Sequence, residues 1–178
     1  MVKLRLLGLL AALMAAGCET TQPPPPPPPP PPIPRNTVVI QTPYRAADFA
    51  WSAAIGSARI RVTTAPGRSC AGNSVALTPD TPYSRERILA LYGSFESASE
   101  PVERVRSRVI ANDNVDMRRF VRASRCDANG SAAFEGLPAG SFFVIAEVSD
   151  PSGPRVVMRR VTTSAGRLVV AALTGAKP

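Results

Sequence analysis

An unbroken run of ten prolines, from Pro23 to Pro32, divides this chain of 178 residues into unequal parts. Proline has no backbone N–H and a fixed φ, so the run can join neither a helix interior nor a central strand and favours polyproline II. At about 3.1 Å per residue, ten residues extend roughly 30 Å as a semi-rigid rod. We therefore predict a linker over residues 18–35 and one folded domain over 36–178. Its expected role is a spacer; a ligand for an aromatic groove is the alternative.

The segment before the linker has the pattern of a secretory signal over residues 1–17. Lys3 and Arg5 precede an apolar run of 11 residues from Leu6 to Ala16, which is shorter than the roughly 20 residues that span a bilayer. The following Gly17 and Cys18 complete a sequence that resembles a bacterial lipobox. The resemblance implies cleavage before Cys18, lipidation of that cysteine with acyl chains such as palmitate, and an anchor in the outer membrane with the domain in the periplasm. An ordinary cleavage site that happens to precede a cysteine is the alternative.

The sequence after residue 36 alternates between apolar and polar residues in several short segments, which is the period of a half-buried strand. Turn sequences containing Gly, Pro, Asn or Asp separate these segments. About seven short strands at this spacing predict a mainly β, antiparallel sandwich. The segments are 58–62, 73–77, 118–122, 142–148, 156–161 and 167–173.

One short helix interrupts the strand pattern. We predict that Ser84 caps it, that Ile88, Leu89 and Tyr92 form its apolar stripe, and that Gly93 ends it. Its expected place is over an open end of the sandwich. Residues 94–101 read as an exposed loop.

The stretch from Cys126 to Val144 carries a family resemblance. It contains an Asp-x-x-Gly turn at Asp127, a strand ending near Phe134, then Gly-Leu-Pro-x-Gly and an aromatic strand. This order resembles the carboxypeptidase regulatory-like domains, which are prealbumin-like (transthyretin-like) sandwiches. The resemblance covers residues 57–148 apart from a long insertion at 79–117. It implies the sandwich fold, and a domain that accompanies enzymes or receptors rather than catalysing a reaction.

Two cysteines remain in the folded part, Cys70 and Cys126. An exported domain resides in an oxidising compartment, so we predict a disulfide between them. A reactive thiol is the alternative, although no Cys-x-x-Cys pair and no histidine accompanies either cysteine.

Histidine is absent from the whole chain, which excludes Ser-His and Cys-His catalytic pairs and histidine-ligated metal sites. No Gly-x-Ser-x-Gly motif or phosphate loop is present. The run from Asn112 to Asp116 only loosely resembles a calcium loop, because it lacks the sixth-position Gly and the distal Glu. We therefore predict no catalytic residue, no metal site, no cofactor and no enzymatic activity.

Arginine is the one unusual component: it supplies 19 of the 21 basic residues, and the formal net charge is +8. Arg104, Arg106 and Arg108 alternate as on one face of a strand, and Arg59 with Arg61 repeats the pattern. Arginine pairs bidentately with carboxylate and phosphate. These five residues are therefore candidates for binding an anionic envelope polymer, peptidoglycan or lipopolysaccharide.

Three alternatives stay open for this reading of the arginines. The basic surface is simply solvated, or the domain is an accessory subunit of a secretion, transport or surface-assembly complex held by contacts with other envelope proteins. An enzyme of unknown class is the least favoured. Nucleic acid is not an expected partner, because export removes it and stacking aromatic residues are scarce.

Overall fold

Ten strands and five short helical segments make up the part of the chain, residues 36–111 and 117–174, that the computed structural model describes. All of it lies within one compact unit, Ile33–Pro178. The strands are β1 (Thr37–Val38), β2 (Ala58–Thr64), β3 (Ser74–Pro79), β4 (Ser97–Pro101), β5 (Val109–Ile110), β6 (Arg122–Arg125), β7 (Ala132–Leu137), β8 (Gly140–Val148), β9 (Arg155–Thr163) and β10 (Leu168–Leu173). The α-helices are α1 (Ala46–Phe49), α2 (Pro82–Tyr92) and α3 (Val102–Arg106), and 3₁₀ turns occupy Ala50–Ala53 and Arg118–Phe120.

Two sheets form the sandwich. The larger has the order β4-β9-β8-β3-β6 and is antiparallel throughout, and the smaller has the order β10-β2-β7. The mainly β fold with a short helix is thus confirmed. The β10–β2 pair is parallel, with Leu168 opposite Arg59, unlike the expected antiparallel arrangement. The reason is that β9 and β10 are consecutive but belong to different sheets, so no hairpin sets the direction of β10.

Alternating side chains from both sheets fill the space between them. Ile60 and Val62 of β2 meet Phe134 of β7 from one side, and Phe142 and Val144 of β8 close the core from the other. All five are buried, and each contributes roughly 1.5–3 kcal/mol relative to an exposed position. Arg59 and Arg61, which flank Ile60 in β2, point the other way and lie exposed on the outer face of the smaller sheet.

A third layer covers the outer face of the larger sheet. Phe143 of β8 and Met158 of β9 point away from the inter-sheet core and are buried against Ile88 and Tyr92 of α2. The expectation that this helix covers an open end of the sandwich is therefore wrong. Because β8 is apolar on both faces, its outer face needs a cover, and α2 supplies it.

The start of α2 also differs from its predicted cap. Thr81 is the N-cap residue and Ser84 lies three positions later in a capping box. The Ser84 N–H donates to Thr81 Oγ1 over 3.2 Å, and the Thr81 N–H donates to Ser84 Oγ over 2.8 Å. Each hydroxyl satisfies a backbone donor that the first helical turn leaves unpaired. Gly93 ends the helix in the left-handed conformation, as predicted, with φ 74°.

The insertion at 79–117 is more regular than the sequence indicated. The expected loop at 94–101 contains β4, which pairs with β9 and extends the larger sheet by one strand. The predicted strand at 118–122 is instead a 3₁₀ turn followed by β6. No helix within the described ranges is long and apolar enough to cross a membrane. The signal segment, Cys18, the linker and Asn112–Asp116 lie outside the described residues.

Candidate functional site

Cys70 and Cys126 form the predicted disulfide, with an S–S distance of 1.96 Å and a Cα–Cα distance of 5.7 Å. The bridge joins the segment before β3 to the segment before β7, and it lies beside a turn that contains Asp127. The Asp127 carboxylate accepts the N–H groups of Asn129 and Ser131, each at 2.9 Å. Since both thiols are consumed, neither cysteine acts as a nucleophile in this state.

Arg104, Arg106 and Arg108 do not share a strand face, so that part of the prediction is wrong. Arg104 and Arg106 belong to α3, and Arg108 lies in the bend before β5. Helix α3 follows Pro101 at its N-cap position, and of two valines three residues apart, Val102 is buried and Val105 packs against the apolar cluster on the outer face of the larger sheet. That three-residue spacing, with Glu103 in the first turn, was the available signal for a helix.

Each of these three arginines has a carboxylate partner. Arg104 Nη1 lies 3.3 Å from Glu100 Oε2, and Arg108 Nη2 lies 3.7 Å from the other oxygen of Glu100. Arg106 lies 3.4 Å from Glu103 and 3.9 Å from Glu147. Their positive charge is thus partly neutralised within the domain, which weakens the attraction of this surface for an external anion.

An open groove of about 500 Å³ lies beside this cluster. It is bounded by β1, α2 and α3, and two guanidinium groups that share Glu100 line one side. The lining residues are Asn36, Thr37, Val38, Ala90, Arg104, Ser107 and Arg108. The groove is polar and wide, and it brings together two of the five predicted binding residues.

Arg59 and Arg61 occupy a different surface, the outer face of the smaller sheet. Both are exposed on β2, and within the described residues neither side chain makes an ion pair or a hydrogen bond. Leu168 and Val170 stand opposite them on β10, with 45% and 57% of their surfaces exposed. On the other side, Ala133 of β7 is opposite Arg61.

Two further charges lie near this surface. Exposed Glu135 follows Ala133 two positions later on β7, and Arg167, also exposed, accepts the Arg59 N–H through its carbonyl at 2.9 Å. We call the surface formed by Arg59, Arg61, Leu168 and Val170 the arginine–aliphatic face. The alternation in 58–62 identified its arginines, but its aliphatic half depends on β10 pairing in parallel, which no local pattern indicated.

Asp80, which lies between β3 and α2, has a structural role. Asp80 is only 1% exposed at its side chain and receives Arg85 through two hydrogen bonds of 3.0 Å and Arg160 at 2.6 Å. The hydrogen bond with Asp80 is the largest factor that raises the pKa of Arg85. Two guanidinium groups saturate this carboxylate, so it is not available as a general acid or base.

A second carboxylate beside α2 is also engaged. Glu86 accepts the backbone N–H of Gln41 at 2.7 Å and that of Thr42 at 2.8 Å. This contact ties the segment before α1 to the helix. Over the ranges that the structure describes, no cluster of three potential metal-ligating side chains is present.

The comparisons with known proteins give little beyond this geometry. No protein-family model matches the chain, and no curated protein matches it. One similar solved structure is a crystal structure of a Pseudomonas aeruginosa protein that has been proposed to bind carbohydrate. It is 16% identical, with a TM-score of 0.48, over 72% of this chain and 97% of that chain. This likeness is too distant to inform function, and the resemblance to carboxypeptidase regulatory-like domains stays a prediction.

Proposed function

We propose that this protein is a lipid-anchored envelope protein of the bacterial outer membrane whose sandwich is a non-enzymatic binding domain for anionic envelope polymers. Peptidoglycan and lipopolysaccharide are the two candidates, and Arg59 and Arg61 of the arginine–aliphatic face are the contact residues. The observation that carries the proposal is the state of Arg59 and Arg61. They lie exposed on one strand without a carboxylate partner in the described residues, whereas Arg104, Arg106 and Arg108 are each paired with glutamate.

The geometry of β2 suits an extended anionic ligand. Residues two apart on a strand are about 6–7 Å apart on the same face, so the two guanidinium groups can engage successive charges of a polymer. An exposed ion pair contributes only about 0.2–1 kcal/mol and is screened by salt. Retention on a polymer must therefore be multivalent, and it must fall as ionic strength rises.

Co-sedimentation with purified peptidoglycan, and in parallel with lipopolysaccharide aggregates, tests the proposal. The protein is residues 19–178, which contain both bridge cysteines and the whole compact unit. We expect retention at low salt and release at high salt. The double variant Arg59→Gln/Arg61→Gln should lose most of the salt-sensitive retention. Arg104→Gln/Arg106→Gln removes the same charge from the paired cluster and is the matched control, which should keep most of it.

The outcomes separate the two groups of arginines. Equal losses in both double variants would show that net charge alone, and not the arginine–aliphatic face, governs binding. A larger loss in the control would move the site to the groove beside α3. Absence of retention of the wild-type protein at low ionic strength would refute the proposal.

Lipidation of Cys18 is the part of the proposal that the lipobox resemblance supports. The substitution Cys18→Ser removes the thiol that would carry the lipid and should abolish incorporation of labelled palmitate into the protein. The matched variant Cys70→Ser should still be labelled. Palmitate incorporation that persists in Cys18→Ser would contradict the anchor.

The accessory-subunit function is a second candidate, and one observation favours it. Leu168 and Val170 expose aliphatic surface on an edge strand of the smaller sheet, and exposed aliphatic surface of this kind marks contacts with other proteins. Crosslinking in intact cells, followed by identification of the partner, distinguishes the two functions. A stoichiometric partner lost in Val170→Lys but retained in Arg59→Gln/Arg61→Gln would favour the accessory role.

A further inference from the structure

The edges of the two sheets are not equally protected. An exposed edge strand offers unpaired N–H and C=O groups to any other strand, and proteins block such edges with charges, prolines, bulges or covering segments. The free edge of β7 is covered near its end by Arg122, whose guanidinium donates to the Glu135 carbonyl at 3.3 Å. A register shift between Ala58 and Ile60 further distorts the β2–β7 pair.

The two edges of the larger sheet carry similar protection. β6 begins and ends with Arg122 and Arg125, and the latter donates to the Gly72 carbonyl at 3.2 Å. β4 ends in Pro101, carries the paired Glu100, and leads directly into α3. Of the four edges of the two sandwich sheets, β10 is the remaining one; β1 and β5 pair with each other in a separate two-stranded parallel sheet.

Over the part of the chain that the structure describes, β10 is protected only by a tight turn at its end, where the Ala172 carbonyl accepts the Thr174 N–H at 3.0 Å. Its sequence, Leu-Val-Val-Ala-Ala-Leu, contains no charge, no proline and no glycine, and it pairs continuously with β2 over six positions. The Arg59 N–H donates to the Arg167 carbonyl, so the parallel ladder directs the backbone groups of Leu168 and Val170 away from β2. The side chains of these same two residues are exposed on the outer face.

We propose that β10 pairs antiparallel with β10 of a second copy of this chain. The strand is self-complementary: pairing centred on Val170 sets each Val170 opposite its counterpart and each Leu168 opposite Ala172 of the second copy. Aliphatic side chains then meet aliphatic side chains, and no like charges oppose one another. The arrangement is a closed two-fold dimer, because each β10 edge is occupied by the β10 edge of the other copy.

The dimer has a consequence for the proposed function, although its own evidence does not depend on that function. Joining the two smaller sheets creates one six-stranded face that carries Arg59 and Arg61 twice. Binding by the second pair becomes intramolecular once the first pair is engaged, which strengthens contacts that are individually weak. Burial of Leu168 and Val170 would also account for the aliphatic part of the arginine–aliphatic face.

Sedimentation equilibrium of residues 19–178, from micromolar to hundreds of micromolar protein, tests the proposal. We expect a monomer–dimer equilibrium for the wild-type protein. Val170→Lys places two like charges opposite each other at the centre of the pairing and should be monomeric at every concentration. Ala133→Lys adds the same charge to an exposed, outward-facing position on the blocked edge strand β7 and should dimerise as the wild type does.

A second measurement needs no substitution. Backbone hydrogen exchange of Leu168 and Val170 should slow when the wild-type protein is concentrated, while exchange of exposed amides elsewhere stays constant. A wild-type protein that stays monomeric at the highest concentration, or a dimer whose Leu168 and Val170 amides exchange as fast as in the monomer, would overturn the proposal. Dimerisation of Val170→Lys to the same extent as the wild type would also overturn it.

The two proposals fail separately in this design. Arg59→Gln/Arg61→Gln should dimerise normally while losing polymer retention. Val170→Lys should keep weak, salt-sensitive retention as a monomer. Dimerisation without polymer retention in the wild type would refute the proposed function and leave the β10 interface standing.

Discussion

The two sides of the larger sheet are covered in different ways. On its inner face, strands with simple alternation interlock with the smaller sheet around Phe142 and Leu137. On its outer face, the cover is α2 with parts of the insertion, fastened at its edges by polar contacts of Asp80, Glu86 and the Thr81 capping box. The inner core therefore depends on apolar burial, which is non-directional, whereas the outer layer combines an apolar cluster around Phe143 and Met158 with a few directional contacts at its edges.

This difference predicts unequal responses to substitution. Loss of a core side chain should weaken the entire domain, because both sheets rely on the same interior. Loss of a polar contact on the outer layer should loosen one segment while the sandwich persists.

Removal of a core ring should have the largest effect. Phe142 is 2% exposed, and its ring centroid lies 5.1 Å from that of Trp51. We expect Phe142→Ala to lower the free energy of unfolding by about 3–5 kcal/mol through lost burial and the cavity left behind. Urea unfolding measures this change. Phe95→Ala, at a position that is 37% exposed, is the control and should cost much less. Similar costs for the two variants would show that the inter-sheet core is not the main source of stability.

The disulfide should come next. Its cysteines are 56 residues apart, and a bridge of that span stabilises mainly by restricting the unfolded chain, by about 2–4 kcal/mol. We expect Cys70→Ser/Cys126→Ser to lower the urea midpoint while leaving the far-ultraviolet circular dichroism spectrum unchanged. A double variant as stable as the oxidised wild type would contradict this expectation.

The same division explains how much the sequence could predict. Two-residue alternation in 58–62 and 142–148 identified strands and their buried residues, because a side chain in a strand must face one sheet surface or the other. The pairing of Cys70 with Cys126 was predictable from the signal-like segment before the linker and from the number of cysteines. Local patterns suffice where the structure is determined by burial on a regular period.

The alternation of Arg104, Arg106 and Arg108 gave a wrong strand prediction for a related reason. Charged residues at alternate positions are compatible with a strand, but the overlapping segment Val102–Arg106 forms a helix, with Val102 and Val105 three residues apart. Which period prevails depends on whether an apolar surface is present to receive Val105, and that surface comes from β8 and β9 far along the chain. For the same reason, the helical cover could not be placed and the parallel β10–β2 pair could not be anticipated.

Removal of the contact between Glu86 and the backbone of Gln41 and Thr42 should have the smallest and most local effect. The Glu86 carboxylate accepts backbone N–H groups from Gln41 and Thr42. Hydrogen bonds with the Thr42 side chain, and then with the backbone of Gln41 and Thr42, hold the pKa of Glu86 below its ordinary value of 4.5. Because the pKa of Glu86 is lower in the folded state, the contact stabilises the fold fully at pH values above the ordinary pKa of 4.5. The stabilisation is lost as pH falls through the folded-state pKa.

We therefore expect Glu86→Gln to cost at most about 1 kcal/mol in unfolding free energy, because a neutral amide oxygen accepts these hydrogen bonds more weakly than a carboxylate. The informative measurement is backbone hydrogen exchange of Gln41 and Thr42, corrected for intrinsic rates, between pH about 6 and pH about 3. In the wild type, protection of these two amides should decline toward the acidic end while amides of the inter-sheet core stay protected. In Glu86→Gln protection should be lower and independent of pH. Glu135→Gln, on an exposed strand position, should behave as the wild type. Flat protection of Gln41 and Thr42 in the wild type across this range would mean that apolar packing of Ile40 and Tyr44, rather than the carboxylate, fastens this segment to α2.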